Sequence, residues 1–154
     1  GEEECRLMTE SMSRLNRYAA ESMKNFHVNG CTDITGFGLL GHALEMANGS
    51  GVSIRVDHAS VPLLSGALEM AELGMIPAGA YRNREYLSEE IFVDKYVPLS
   101  IEDVLYDPQT SGGLLISVPE KQGERLAAQL REDGEKAAVI GYAEEKQEFS
   151  IVVV

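Results

Sequence analysis

The chain has 154 residues, 44% of them hydrophobic, and this composition excludes a disordered segment and indicates a single domain over residues 1–154. Its formal net charge of −12 argues against a nucleic-acid partner, because no basic stripe offsets the 25 acidic side chains. No apolar run reaches membrane-spanning length, no signal-peptide pattern is present and the two cysteines lack C-x-x-C spacing, so we expect a reduced, cytoplasmic protein with no membrane segment.

Hydrophobic periodicity and turn residues divide the chain into predicted elements. We expect helices over about residues 7–26, 37–47, 63–73, 83–90 and 119–133, and a helix start at about residues 100–103. We expect strands over about residues 28–34, 52–57, 91–96, 114–118, 137–142 and 149–153. Helices and strands are interspersed without strict alternation, so the pattern predicts an α+β domain with a mixed β-sheet covered by helices.

Several uncharged residues carry individual expectations. The helical spacing of Met8, Met12 and Met23 assigns these side chains to the core. Cys31 is expected to be a small buried side chain, as free cysteines often are. Asn83 is expected to cap the helix that follows it.

The charged segments are expected to be solvated. Arg82 and Arg84 are predicted to be ordinary surface charge rather than phosphate contacts. The acidic run Glu144–Glu145, with Glu148, is predicted to be a solvated turn. Residues 1–6 are acidic and lack an initiator Met, so we expect that an earlier part of the protein is missing.

Residues 32–42, TDITGFGLLGH, form the stretch around which the chain is organised. Asp33 stands just before Gly36 and Gly38, and these glycines open an apolar helix. The start of a helix presents free N–H groups that suit an anion, and a carboxylate beside an anion site suits a magnesium-bound phosphate. The stretch therefore indicates one edge of a metal–phosphate site.

Residues 36–41 also match G-x-G-x-x-G, with Asp57 near the expected separation of about 20 residues. Two features oppose a dinucleotide-binding turn. The preceding residues 29–35 are polar where a central parallel strand should be apolar, and no repeated strand–helix units flank the motif. A dinucleotide site therefore stands only as a weaker alternative.

Four stretches together resemble selenophosphate synthetase (selenide, water dikinase), and they occur in the order and spacing of that family. They are residues 31–42, residues 76–80 with Asn83, residues 107–115, and the first helix with Leu15 and Asn16. The resemblance covers nearly the whole chain but only the C-terminal half of the family's protein.

The resemblance implies membership of the aminoimidazole ribonucleotide synthetase superfamily, in which an ATP-binding N-terminal domain precedes an α+β C-terminal domain. It implies that ATP, selenide and water give selenophosphate, AMP and phosphate, with Mg²⁺ as cofactor. The family's glycine-rich loop, reactive Cys or selenocysteine, Lys and further metal-binding Asp residues have no counterpart in residues 1–154. No catalytic residue is therefore assigned here, and the isolated chain is expected to be inactive. Its expected partners are its own N-terminal domain, ATP, selenide and a second copy in a homodimer.

The resemblance carries few site residues over. Asp33 matches a carboxylate that helps to hold Mg²⁺ against the ATP phosphates. Thr35, Gly36 and Gly38 match the adjoining turn close to those phosphates. Residues 107–113 match a family signature, for which no role is assigned.

Alternatives remain open for these residues and for the function. Asp33 alone is as typical of a helix cap, His42 of a structural hydrogen bond, and residues 110–113 of either an anion-binding nest or a tight turn. The functional rivals are another ATP-dependent member of the superfamily, such as thiamine-monophosphate kinase, a noncatalytic nucleotide-binding module, and a structural or dimer-contact domain.

Overall fold

The structure is a computed structural model that describes residues 2–154. Residue 1, the first residue of the acidic stretch 1–6, lies outside the described part. The helices are α1 (Glu2–Ser13), α2 (Arg17–Ser22), α3 (Gly38–Ser50), α4 (Ala67–Glu72), α5 (Ala78–Leu87), α6 (Leu99–Leu105) and α7 (Glu120–Glu132). The strands are β1 (Gly30–Asp33), β2 (Val52–Val56), β3 (Ile91–Val93), β4 (Leu114–Ser117), β5 (Gly141–Glu145) and β6 (Ile151–Val153). Among these helices, none is long and apolar enough to cross a membrane.

The strands form two separate sheets. The larger sheet has the order β3-β6-β2-β5, in which β6 is parallel to both neighbours and β5 is antiparallel to β2. The smaller is an antiparallel ribbon of β1 and β4. The prediction of an α+β domain with a mixed sheet is confirmed.

Helix α3 joins the two sheets, since it contacts β1 of the smaller sheet and both β2 and β6 of the larger sheet. Its residues Leu40 and Ala47 are fully buried against Ile151 and Val153 of the central strand β6. The core therefore lies between α3 and the larger sheet, and the start of α3 is fixed in position at the end of the ribbon.

The placement of β1 and β2 in different sheets excludes the dinucleotide alternative. In a dinucleotide-binding unit the strand before the glycines and the strand after the helix are parallel members of one sheet. Here β1 pairs with β4, whereas β2 pairs with β5 and β6. The match of residues 36–41 to G-x-G-x-x-G is therefore a coincidence of spacing.

The single helix predicted over residues 7–26 is wrong, because the chain breaks between α1 and α2. Arg14 leaves the helix direction to form a salt bridge with Glu135 (Nε–Oε2 2.7 Å) and a hydrogen bond to the carbonyl of Gly134. The expected core assignment also fails for Met8 and Met12, which are 51% and 46% exposed. Tertiary contacts therefore override the helical periodicity of this segment.

The boundaries of other elements differ from expectation for local reasons. Helix α3 continues past Asn48 and ends at Gly51, whose φ of 67° stops it in the left-handed region. Helix α4 is shorter than predicted, and α6 begins at Leu99 after Pro98 rather than at a capping box.

Strand β5 begins at Gly141, where a Cβ would lie 2.0 Å from the carbonyl oxygen of Arg55, so only glycine fits this pairing position. The predicted strand over residues 137–142 is therefore displaced towards the C terminus. Glu144, expected in a solvated turn, lies in β5 and forms an ion pair with Arg55 (3.5 Å).

Candidate metal–phosphate edge

Asp33 is the last residue of β1 and presents its carboxylate to solvent. Alternation along the strand places Cys31 and Asp33 on the exposed face, while the half-buried Gly30 and Thr32 occupy the other. Within residues 2–154, the Asp33 carboxylate has no hydrogen bond or salt bridge. The helix-cap alternative therefore lacks its defining contact, and the carboxylate is available to a ligand.

Cys31 is exposed, so the expectation of a buried cysteine is wrong. Partial burial raises the pKa of the Cys31 thiol, and the negative charge of Asp33 raises it further. This interaction indicates that the two side chains face the same region. A thiol with a raised pKa is a poor nucleophile near neutral pH, which agrees with assigning no catalytic role to Cys31.

The turn after Asp33 requires glycine at one position. The amide of Gly38 donates to the carbonyl of Thr35 (3.0 Å), and Gly38 has a φ of 71°. A Cβ on Gly38 would lie 2.9 Å from the carbonyl carbon and oxygen of Tyr106. The turn is thus pressed against the backbone that precedes residues 107–113.

Residues 107–113 are bonded to this turn through the backbone. Ile34 donates to Gly113 (3.0 Å), Gly112 donates back to Ile34 (2.9 Å), and Gln109 donates to Thr35 (3.0 Å). One amide of the candidate nest at residues 110–113, that of Gly112, is therefore already engaged, as is the adjoining amide of Gln109. This favours the tight turn over the nest as the role of this segment.

Asp107 occupies the inner side of the same segment. Burial raises the pKa of the Asp107 carboxyl, while a hydrogen bond from Gln109 Nε2 (2.7 Å to Oδ2) opposes the shift. The Gln109 side chain thus satisfies the carboxylate next to the turn that contains Thr35.

Helix α5 is a third segment of this edge, and it contacts both the turn after Asp33 and the segment that includes residues 107–113. The Asn83 side-chain amide donates to the carbonyls of Gly36 and Tyr106, both at 3.0 Å. A Cβ on Gly79 would lie 2.5 Å from Cγ of Pro108, so α5 packs directly on the second segment. Asn83 is buried in the middle of α5, which begins at Ala78, and its expected role as a helix cap is wrong.

His42 connects the turn to the exposed surface of α3. Its Nε2 lies 3.1 Å from Thr35 Oγ1, and its Nδ1 lies 3.0 Å from Glu45 Oε2. The ring of Phe37 lies 5.8 Å from the His42 ring and also stacks on the ring of Tyr86, 6.4 Å away between centroids. His42 is therefore hydrogen-bonded at both nitrogens. Glu45 belongs to the site through this contact, and no motif or spacing in the sequence selects it.

Arg84 also departs from expectation, because it is not simple surface charge. Its Nη2 lies 2.6 Å from Asp103 and its Nε 3.1 Å from Glu102, and the guanidinium lies 5.4 Å from the centre of the Tyr106 ring. These contacts tie α5 to α6 beside the backbone that Gly38 touches. Arg82, in contrast, is exposed as predicted.

Among the described residues, this edge offers one exposed, unpaired carboxylate, that of Asp33, as a candidate metal ligand. Across residues 2–154, no group of three or more His, Cys, Asp or Glu side chains converges as a metal site. An exposed, unpaired carboxylate beside a glycine turn fits Mg²⁺, which takes one or two protein carboxylates and completes its shell with phosphate oxygens and water. The residues present fit part of such a site, with Asp33 as ligand and Thr35, Gly36 and Gly38 beside it.

A family model and curated relatives of this chain indicate the same family. A family model described as AIR synthase related protein, C-terminal domain, matches residues 2–154. Selenide, water dikinase of Clostridioides difficile (strain 630) is 50% identical over 146 residues, which are 94% of this chain and 42% of the relative. Selenide, water dikinase of Caldanaerobacter subterraneus subsp. tengcongensis is 50% identical over 148 residues, 96% of this chain and 43% of the relative. The chain thus spans less than half the length of these curated relatives.

Solved structures show the same fold. The crystal structure of E. coli HypE matches with a TM-score of 0.64 at 18% identity, over 89% of this chain and 35% of that one. The hydrogenase maturation protein HypE in complex with ATP matches with a TM-score of 0.57 at 23% identity, over 90% of this chain and 34% of that one. At these identities the likeness is one of fold alone.

Proposed function

This chain belongs to the family of AIR synthase related protein C-terminal domains, and from that membership we propose that it is the C-terminal domain of a selenide, water dikinase. The complete enzyme makes selenophosphate, AMP and phosphate from ATP, selenide and water. Identity of 50% to two such enzymes over more than nine-tenths of the chain supports this substrate class. The 42–43% coverage of those relatives supports an additional ATP-binding domain before residue 1.

The observation that carries the proposal is the exposed Asp33 carboxylate beside a turn that two other segments hold rigid. Asp33 would serve as one ligand of Mg²⁺, with Thr35, Gly36 and Gly38 next to the ATP phosphates. When bound, Mg²⁺ neutralises phosphate charge as each bond to phosphorus breaks. The role of this chain is to hold one carboxylate and one backbone turn in place while the N-terminal domain supplies the remaining ligands and the reactive groups.

The exposure of Asp33 favours this function over a purely structural domain. A carboxylate kept for stability would be paired, as Asp103 is with Arg84. Phosphate binding by the turn agrees with the position of α3, whose first turn begins at Gly38 within the same hydrogen-bonded edge.

The test is Asp33→Asn in the full-length enzyme, measured as AMP formed from ATP and selenide. We expect turnover to fall about 100-fold, equivalent to about 2.7 kcal/mol, because Asn keeps the shape and loses the charge that the metal needs. Glu124→Gln is the matched control, since it removes the same charge from an exposed position on α7. Equal turnover in the two variants would reject the proposed role of Asp33.

Substrate identity is tested separately by offering selenide or thiamine monophosphate to the full-length enzyme. Selenide-dependent AMP formation supports the dikinase, whereas ATP consumption that depends on thiamine monophosphate would replace it with the kinase of the same superfamily. A noncatalytic module would bind ATP and consume none.

The proposal extends to the surroundings of the enzyme. Cys5 and Cys31 are both free and exposed, which is compatible with a reducing cytoplasm. The partners proposed are the N-terminal domain of the same polypeptide and a second copy in a homodimer. Size measurement of the full-length enzyme by light scattering tests the homodimer.

A further inference from the structure

We propose that Glu45 and His42 are positioning residues that hold the hydroxyl of Thr35 with its proton towards the His42 ring and its oxygen lone pairs towards the metal–phosphate site, where lone pairs suit a cation such as the proposed Mg²⁺. This inference rests on the proposed function and extends it, because Thr35 adjoins the phosphates there. Thr35, His42 and Glu45 are called the 35–42–45 triad below. Its two contacts, 3.1 Å and 3.0 Å, are both within hydrogen-bonding range.

The chemistry of Glu45 fixes the direction of the first bond. An ionised carboxylate can only accept a hydrogen bond, so Nδ1 of His42 must carry the proton that it donates to Glu45. The other ring nitrogen, Nε2, lies within hydrogen-bonding distance of Thr35 Oγ1 and of no other group in the described part of the chain. In the neutral ring Nε2 has no proton, so the Thr35 hydroxyl donates to Nε2 and presents only its oxygen lone pairs to a ligand.

The fold holds the ring in place. His42 and Glu45 are three residues apart on α3 and therefore share one helix face. His42 is 8% exposed and is flanked by the Phe37 ring, so solvent has little access to its nitrogens. Side chains of a helix lean towards its N terminus, which directs the imidazole back towards the preceding turn.

The turn does not need the Thr35 hydroxyl for its own stability. The backbone carbonyl of Thr35 already accepts from the amides of Gly38 and Gln109, and these bonds close the turn. A buried imidazole bonded to a hydroxyl that the turn does not require indicates that its role is to aim that hydroxyl. Thr35 is half-buried, so part of the residue remains accessible from outside the domain.

The first test concerns the triad alone and needs no catalysis. In ¹⁵N-edited spectra of the 154-residue chain at a pH where His42 is neutral, we expect the Nδ1–H tautomer. Glu45→Ala should shift the ring towards the Nε2–H form without changing the circular dichroism, because Glu45 is exposed. An Nε2–H tautomer in the unmodified chain would overturn the proposal.

The second test is a double-mutant cycle in the full-length enzyme, read as kcat/KM for ATP. We expect Thr35→Val to lower it about tenfold and His42→Asn about fivefold, while the double variant falls no further than Thr35→Val alone. His42→Gln, whose amide reaches the position of Nε2, should stay within about twofold of the unmodified enzyme. A purely structural His42 would instead give losses that multiply to about fiftyfold, and Gln would do no better than Asn; either result overturns the proposal.

Glu45→Ala keeps the test valid if His42→Asn folds poorly. Its expected loss is about twofold to threefold, and it should vanish in the Thr35→Val background. Asp33→Asn separates the role of Asp33 from the positioning role of His42 and Glu45. If Asp33→Asn is inactive but the losses at the triad multiply, only the positioning role is refuted. Full turnover in Asp33→Asn refutes the proposed role of Asp33, whatever the tautomer of His42.

Discussion

Replacing Gly38 with alanine should destabilise this protein strongly, because Gly38 lies where the backbone leaves no room for a side chain. Its φ of 71° costs alanine about 1–2 kcal/mol. The added Cβ would lie 2.9 Å from the carbonyl carbon and oxygen of Tyr106, backbone atoms that cannot rotate away, and such overpacking costs about 1–3 kcal/mol. The smaller entropy of the unfolded alanine chain offsets about 0.4–1 kcal/mol. We therefore expect a net loss of about 1–4.5 kcal/mol.

The measurement is urea unfolding of the 154-residue chain, followed by circular dichroism. Gly49→Ala is the control, because Gly49 lies in the same helix and no heavy atom lies within 4 Å of its Cβ position. Alanine at this position should raise the free energy of unfolding by at most about 1 kcal/mol. In thermal unfolding, Gly38→Ala should lower Tm by about 2–4 °C for each kcal/mol that is lost. A loss smaller than about 1 kcal/mol, or equal changes in both variants, would refute the steric reasoning.

Three further predictions concern the residues around this turn and the chain as a whole. Burial raises the pKa of the Asp107 carboxyl above its ordinary value of 3.8. The folded state therefore disfavours the charged form, and the protein loses stability as the pH rises from the unfolded-state pKa through the folded-state pKa of this group. Asp107→Asn should unfold at a higher urea concentration than the unmodified chain at pH 7, and at the same concentration near pH 3. Arg84→Met leaves the buried Asp103 unpaired and should cost about 2–4 kcal/mol in urea unfolding, whereas the exposed control Arg82→Met should change stability by less than about 0.5 kcal/mol; similar costs would contradict the role of the ion pair. The 154-residue chain alone should form no AMP from ATP and selenide, and measurable turnover would show that its N-terminal partner is dispensable.

The features that sequence reasoning predicted well are those with a local physical cause. The apolar stripe of α7, with Leu126, Ala127 and Leu130 buried, follows from helical spacing alone. The importance of residues 32–42 follows from glycine chemistry, and Gly38 indeed adopts a positive φ. The resemblance of residues 31–42, 76–80 and 107–115 to one family also anticipated segments that the fold brings together.

The features that it missed depend on contacts between distant segments. Asn83 is of a residue type that often caps helices, but the two carbonyls that its side chain contacts belong to distant parts of the chain. Glu45 belongs to the site through a histidine, and no spacing rule selects it among the other acidic residues. The break before α2 depends on Glu135, which lies 121 residues from Arg14. Local periodicity carries no information about such partners.

The assembly of the Asp33 edge also bears on how the polypeptide matures. The Asn83 amide joins carbonyls that lie 47 and 23 residues away in sequence, and Ile34 is bonded to Gly112 and Gly113. Closing such long loops costs entropy before any contact is gained, so these bonds form late. A nascent chain on the ribosome cannot build this edge until residue 113 has emerged, and a ligand that binds there stabilises the finished domain but not its precursors.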